Sequence, residues 1–112
     1  MNYERGDVLW SSDPYKDDPD AGRPWLVVSN ETQPFRDEQS MTVALSTSGH
    51  EQARPIDPND WIDGGLPRQS YALPWAVHSP RHRDVDRRLG RLATELADRV
   101  VESLGRYVEP AP

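Results

Sequence analysis

Through most of the chain, apolar positions come in short runs cut by turn residues; only at the C-terminal end do they fall at helical spacing. Gly6-Asp7-Val8-Leu9-Trp10 predicts a first strand, ended by Asp13-Pro14. Tyr15 to Gly22 is a polar, acidic loop containing Pro19. Trp25-Leu26-Val27-Val28 is continuously apolar and partly β-branched, which predicts a strand buried on both faces. Pro24 stands at its start, where a missing N–H does least harm. Met41 to Thr47 alternates apolar and polar residues, the period of a half-buried strand.

Beyond His50 the chain is rich in turn residues: Pro55, Asp57-Pro58-Asn59-Asp60 and Asp63-Gly64-Gly65. A short strand about Arg54-Pro55-Ile56 fits between them. Tyr71 to Val77 predicts another, with Pro74 implying an edge or a bulge, and Leu89-Gly90-Arg91-Leu92 a last short one. Thr94 then offers an N-cap, with Glu95 and Asp98 following. Leu96, Val100, Val101, Leu104, Tyr107 and Val108 share one helical face, and Pro110 stops the helix. The expectation is a mainly β domain over 1–112: five or six short strands in a small, partly open barrel, with one C-terminal helix packed on it.

Composition narrows the classes. A chain of 112 residues has room for one core. Cysteine is absent, which removes disulfides and thiolate metal sites. No apolar run approaches the ~18–20 residues of a membrane span. The opening Met1-Asn2-Tyr3-Glu4-Arg5 has no signal-like apolar stretch, so a cytoplasmic domain is expected. Mean hydropathy is low at −0.85, yet four Trp and four Tyr remain to be buried. The net charge of −6 repels nucleic acid on average. Its distribution is uneven, because Arg81, Arg83, Arg87, Arg88 and Arg91 crowd one short stretch and permit a local positive potential.

Phosphate loops, nucleophile elbows and zincin motifs are missing. His78 and His82 stand four apart, but Pro80 between them breaks the helical geometry a metal pair needs, so neither metal nor cofactor is expected. What remains is arginine chemistry. Arg23, just ahead of a buried strand, presents a guanidinium that can bind a phosphate in two-pronged fashion and stabilise charge during phosphoryl transfer. Ser46-Thr47-Ser48 supplies hydroxyls for phosphate oxygens. Trp10, Trp25, Trp61 and Trp75 are candidate stacking platforms; Trp10 and Trp25 read as core, and Trp61 as the exposed one. His50 and His82 are candidates for moving protons, the role for which histidine side chains are suited. Taken singly, each also fits a plain structural role: a surface arginine, a hydroxyl-rich strand end, a solvated histidine.

In order and spacing, Gly6-Asp7-Val8-Leu9-Trp10, Asp13-Pro14, Gly22-Arg23-Pro24, Leu26-Val27-Val28-Ser29-Asn30, Ala44-Leu45-Ser46-Thr47-Ser48, Val85-Asp86 and Leu89-Gly90-Arg91-Leu92 resemble the MazF/PemK family of toxins. The resemblance implies a barrel-like β fold, a homodimer, and metal-independent endoribonuclease activity on single-stranded RNA. It also implies attack by a 2′-hydroxyl leaving a cyclic phosphate and a 5′-hydroxyl, and a cognate antitoxin whose tail occupies the RNA groove. By position, the resemblance implies that Arg23 acts on the phosphate as acid or electrostatic stabiliser and that Thr47 positions it, with Ser46 the neighbour one register away. Asp20, Ser46, Ser48, His50, Trp61 and Trp75 are expected to contact substrate.

Two positions depart from the family pattern. Pro74-Trp75 stands where an Asp-Gln pair is usual, and Asp20 where a loop glutamate is, which implies altered cleavage or sequence preference. Two other functions stay open on sequence alone. One is a gyrase-binding inhibitor of the CcdB type, and the other a non-catalytic nucleic-acid-binding relative.

Overall fold

The computed structural model describes residues 2–111. Seven strands form one open antiparallel sheet curled into a half-barrel: β1 (Asp7–Ser12), β2 (Gly22–Val27), β3 (Thr42–Ser46), β4 (Arg54–Pro55), β5 (Trp61–Gly64), β6 (Tyr71–His78) and β7 (Val85–Leu92). Their order across the sheet is β4-β6-β3-β2-β1-β7-β5, and the helix α1 (Thr94–Val108) follows. Single 3₁₀ turns at Pro58–Asp60 and His82–Asp84 lead into β5 and β7. No helix among the described residues is long and apolar enough to cross a membrane.

The continuous apolar run behaves as its pattern predicts. Trp25, Leu26, Val27 and Val28 are all buried. Leu26 joins Val8, Val43, Leu45, Ala72 and Leu92 on one face, which α1 covers with Leu96 and Val100. On the other face Trp25 lies between Leu9 and Ala44 in register, and all three are fully buried. Central strands thus carry apolar side chains both ways, where a half-solvated sheet would alternate.

Four expectations need correction. The sheet has seven strands, because the turn-rich stretch hides β5. Gly64, at the end of that strand, has φ +65°, and a Cβ there would stand 2.1 Å from the Leu89 carbonyl oxygen. The turn residue is therefore what lets β5 close against β7. The last strand is also longer than expected, running from Val85. The helix cap is Ala93, and Thr94 is the first helical residue. Ala93 donates its N–H to the Asp60 carbonyl at 2.7 Å, which holds it extended and makes it the cap despite its lack of a capping oxygen. Finally, the burial of α1 runs through Ser103, while Tyr107 and Val108 in its last turn are 47% and 71% exposed, so the apolar stripe outlasts the packed part of the helix.

Pro74 produces a bulge: β3 advances from Val43 to Leu45 while β6 advances from Val77 to Ala72. The arginine cluster is less free than its sequence suggests. Arg88 and Arg91 both bind buried Asp7, at 3.1 and 3.0 Å, and reach on to Asp63 and Glu4.

Candidate active site

β1 and β3 end, and β2 begins, at the same end of the sheet, so residues far apart in sequence meet there. A cleft of about 270 Å³ opens between them and the segment 66–70. Arg23, Ser46 and Thr47 all line it, together with Trp10, Lys16 and Arg68. Asp20, Ser48, His50 and Trp75 lie outside this lining, and Trp61 belongs to an adjoining hollow.

Arg23 is held from behind. Its Nε donates to Asp13 Oδ2 at 2.9 Å, and the Asp13 side chain is fully buried. The other oxygen of Asp13 accepts the Tyr15 backbone N–H at 2.9 Å. A carboxylate so placed orients the guanidinium through Nε and leaves both Nη groups without a protein partner among the described residues. Arg23 retains 21% side-chain exposure, enough to meet a ligand from the cleft.

The two hydroxyls differ. Ser46 Oγ accepts the Ser48 backbone N–H at 3.1 Å, closing a small turn. The Thr47 hydroxyl has no such partner among the described residues and is exposed at the cleft. His50 has accepted the Gln52 N–H on Nδ1 and lies edge-on to Trp75 at 5.1 Å. Asp20 is exposed in its loop, where its N–H donates to Asp18.

The tryptophans rearrange the expected assignment. Trp25 is core. Trp61 is half-buried and packs against the core, whereas Trp75, at 42%, is clearly exposed. Trp10 is half-buried and forms a wall of the cleft, with Arg87 5.5 Å from its ring centroid. This wall explains Gly22: a Cβ there would stand 2.5 Å from Trp10 Nε1, so only glycine lets the indole lie against the backbone beside Arg23. Neither Pro74 nor Trp75 lines the cleft.

Asp13, Lys16 and Arg68 join the candidate site although their own sequence context gives them no functional role, and Trp10 joins it although its context reads as core. The hairpin register was the available signal for Asp13, since Ser11 pairs Arg23 and Asp13 follows on the same side of the strand.

Behind the arginine, His78 lies 4.9 Å from Trp25. Burial pushes its imidazole below the ordinary value of 6.5, and the nearby Asp13 charge opposes that shift. The unfolded chain therefore binds a proton more readily than the folded one, and stability falls as pH drops below about 6.5. Urea midpoints measured across that range should fall more steeply for wild type than for His78→Gln. Parallel curves would show that His78 is not the group responsible.

The fold and its relatives agree. An endoribonuclease in complex with its cognate antitoxin, from a mycobacterial species, superposes with TM-score 0.72 at 21% identity, covering 100% of both chains. A second mycobacterial endoribonuclease gives 0.74 at 19% identity, covering 100% of this chain and 97% of the other. A chain of the MazE–MazF crystal structure from Deinococcus radiodurans gives 0.72 at 13% identity, over 99% of each chain. No curated protein sequence matches the chain. The sequence profile of the PemK-like, MazF-like toxins matches residues 4–108, from the first β-strand motif through the C-terminal helix. The chain belongs to the PemK-like, MazF-like toxins of type II toxin–antitoxin systems.

Proposed function

We propose that the protein is a metal-independent, sequence-selective endoribonuclease that cleaves single-stranded RNA, inhibits growth, and is neutralised by a cognate antitoxin. The carrying observation is Arg23, pinned through Nε to buried Asp13 with its Nη groups open to a cleft that also holds the unengaged Thr47 hydroxyl.

In this reading a substrate 2′-oxygen attacks the neighbouring phosphorus and the bond to the 5′-oxygen breaks. The 2′-hydroxyl loses its proton, and the departing 5′-oxygen gains one. Negative charge builds on the phosphate oxygens in between. Arg23 faces that charge with two donors already oriented, and Thr47 adds a hydroxyl that fixes the phosphate. Among the described residues the lining brings arginine, lysine and hydroxyl groups to the phosphate, which suits catalysis by positioning and electrostatic stabilisation. Lys16 and Arg68 supply further positive charge in the same cleft.

The solved relatives include an endoribonuclease bound to its antitoxin and a MazE–MazF complex, which supports an antitoxin partner for this chain. A homodimer finds support at β6, which β4 pairs only at Tyr71 and Ala72 and which exposes Trp75 and Val77 beyond. Incubation with a long single-stranded RNA in EDTA is expected to yield fragments with cyclic phosphate and 5′-hydroxyl ends. RNA left intact would remove the endoribonuclease reading. Sedimentation of the same sample should show a dimer, and a monomer would count against the homodimer.

A further inference from the structure

The cleft shares its wall of Leu66, Pro67 and Arg68 with a second hollow of about 360 Å³. Trp61 lines this hollow beside Ile56, and its ring packs against the core, which holds it rigid. Gly65 forms part of the rim. Gln69, also in the lining, donates its amide N–H groups to the carbonyls of Ile56 and Ser70, at 2.8 and 3.1 Å. With the nitrogen engaged twice, the amide oxygen is left as an acceptor of set orientation.

We infer that this hollow seats one unpaired nucleobase of the RNA, next to the phosphate held at Arg23, and selects a base that carries an amino group. Arg68, on the ridge common to both hollows, holds the backbone that passes between them. The inference rests on the endoribonuclease reading and adds where its sequence selectivity resides. Three observations converge on a nucleotide. The hollow adjoins a phosphate-suited cleft, so one strand can occupy both. Its rigid aromatic side suits a π-face, which any base offers. Gln69 Oε1 then discriminates between bases, since an acceptor meets the exocyclic amino donor of adenine, cytosine or guanine, whereas uracil offers only its ring N3–H, flanked by two carbonyl oxygens that repel the acceptor. Arg68 has no ion pair among the described residues, so its charge is available to the backbone.

Gly65 provides a clean test. A Cβ there meets nothing within 4 Å, so Gly65→Leu adds bulk at the rim without disturbing the packing. A single-stranded RNA pool of random sequence is cut by wild type, Gly65→Leu and Arg68→Gln, and the cut ends are sequenced. Wild type should show one position beside the cut enriched in amino-bearing bases. Gly65→Leu should flatten that position and lower kcat/KM about tenfold, at a wild-type melting temperature. Arg68→Gln should weaken cleavage evenly across sequences and reduce the salt slope by about one. A wild-type base profile retained in Gly65→Leu would overturn the inference while leaving the nuclease intact. An uncut pool with wild type would instead remove the endoribonuclease reading, and this inference with it.

Discussion

Arg23→Lys should lower the kcat for RNA cleavage by about 10²–10³-fold, the usual effect of losing a donor aimed at developing charge. Charge itself is conserved in this substitution; what changes is geometry. Arginine uses Nε for Asp13 and keeps two Nη groups for the phosphate. A lysine has one ammonium head. If that head pairs with Asp13 it leaves the cleft, and if it reaches the cleft it abandons a fully buried carboxylate. KM should move much less, because Lys16 and Arg68 remain to attract the strand. Single-turnover cleavage of a short RNA, with a thermal melt beside it, makes the check. A lysine variant that cleaves at near the wild-type rate would show that Arg23 contributes charge only, or nothing.

The largest effect on stability is expected at Asp7, well away from the cleft. Asp7 Oδ1 accepts from Arg88 and Arg91, and Oδ2 accepts the Glu4 backbone N–H at 2.8 Å. One buried carboxylate therefore ties the start of β1 to β7 and to the turn before it. Asp7→Asn keeps the shape but replaces one of those acceptors with a donor, and it leaves the two guanidiniums with only their outer partners, Asp63 for Arg88 and Glu4 for Arg91. Breaking a fully buried pair costs about 3–5 kcal/mol. Here the arginine heads are 36% and 35% exposed, so water screens part of the loss and about 2 kcal/mol is expected. For a domain of this size that lowers Tm by about 8–16 °C. Removal of the exposed Arg106–Glu102 pair, at 3.7 Å, should be close to neutral by comparison. A thermal melt of Asp7→Asn within a degree or two of wild type would sink this assignment.

The same strap has a predictable acid limit. The hydrogen bond from Arg88 holds the Asp63 carboxyl below the usual carboxylate range. A depressed carboxylate contributes above its unfolded value and is lost as pH falls through the folded one, so this contact persists until strongly acidic conditions. Arg88 in turn is raised by Asp63 and then Asp7, and Arg91 by Asp7 and then Glu4, which keeps both charged throughout.

Local pattern determined much of this protein. Trp25-Leu26-Val27 reads as a strand buried on both faces, the apolar spacing from Leu96 to Val100 as a helix facing the sheet, and Gly22-Arg23-Pro24 as a strand start carrying an arginine suited to phosphate. These features are legible because the periods of strand and helix are written into neighbouring residues. Other features were decided by tertiary structure. β5 exists because Gly64 lets Asp63-Gly64 close against β7, where turn propensity alone argued against a strand. Ala93 caps the helix because Asp60, thirty-three positions earlier, takes its N–H. Trp10, expected in the core, and Trp61, expected at the surface, are both half-buried, since core packing assigns burial by position in the sheet and not by neighbouring polarity. Above all, Asp13 became the support of Arg23, and Lys16 and Arg68 joined it, only when three strand ends and a distant loop met. A strand motif names the residue that can act on a phosphate; the carboxylate that aims it and the charges that surround it come from pairings across the sheet, which no local stretch of sequence contains.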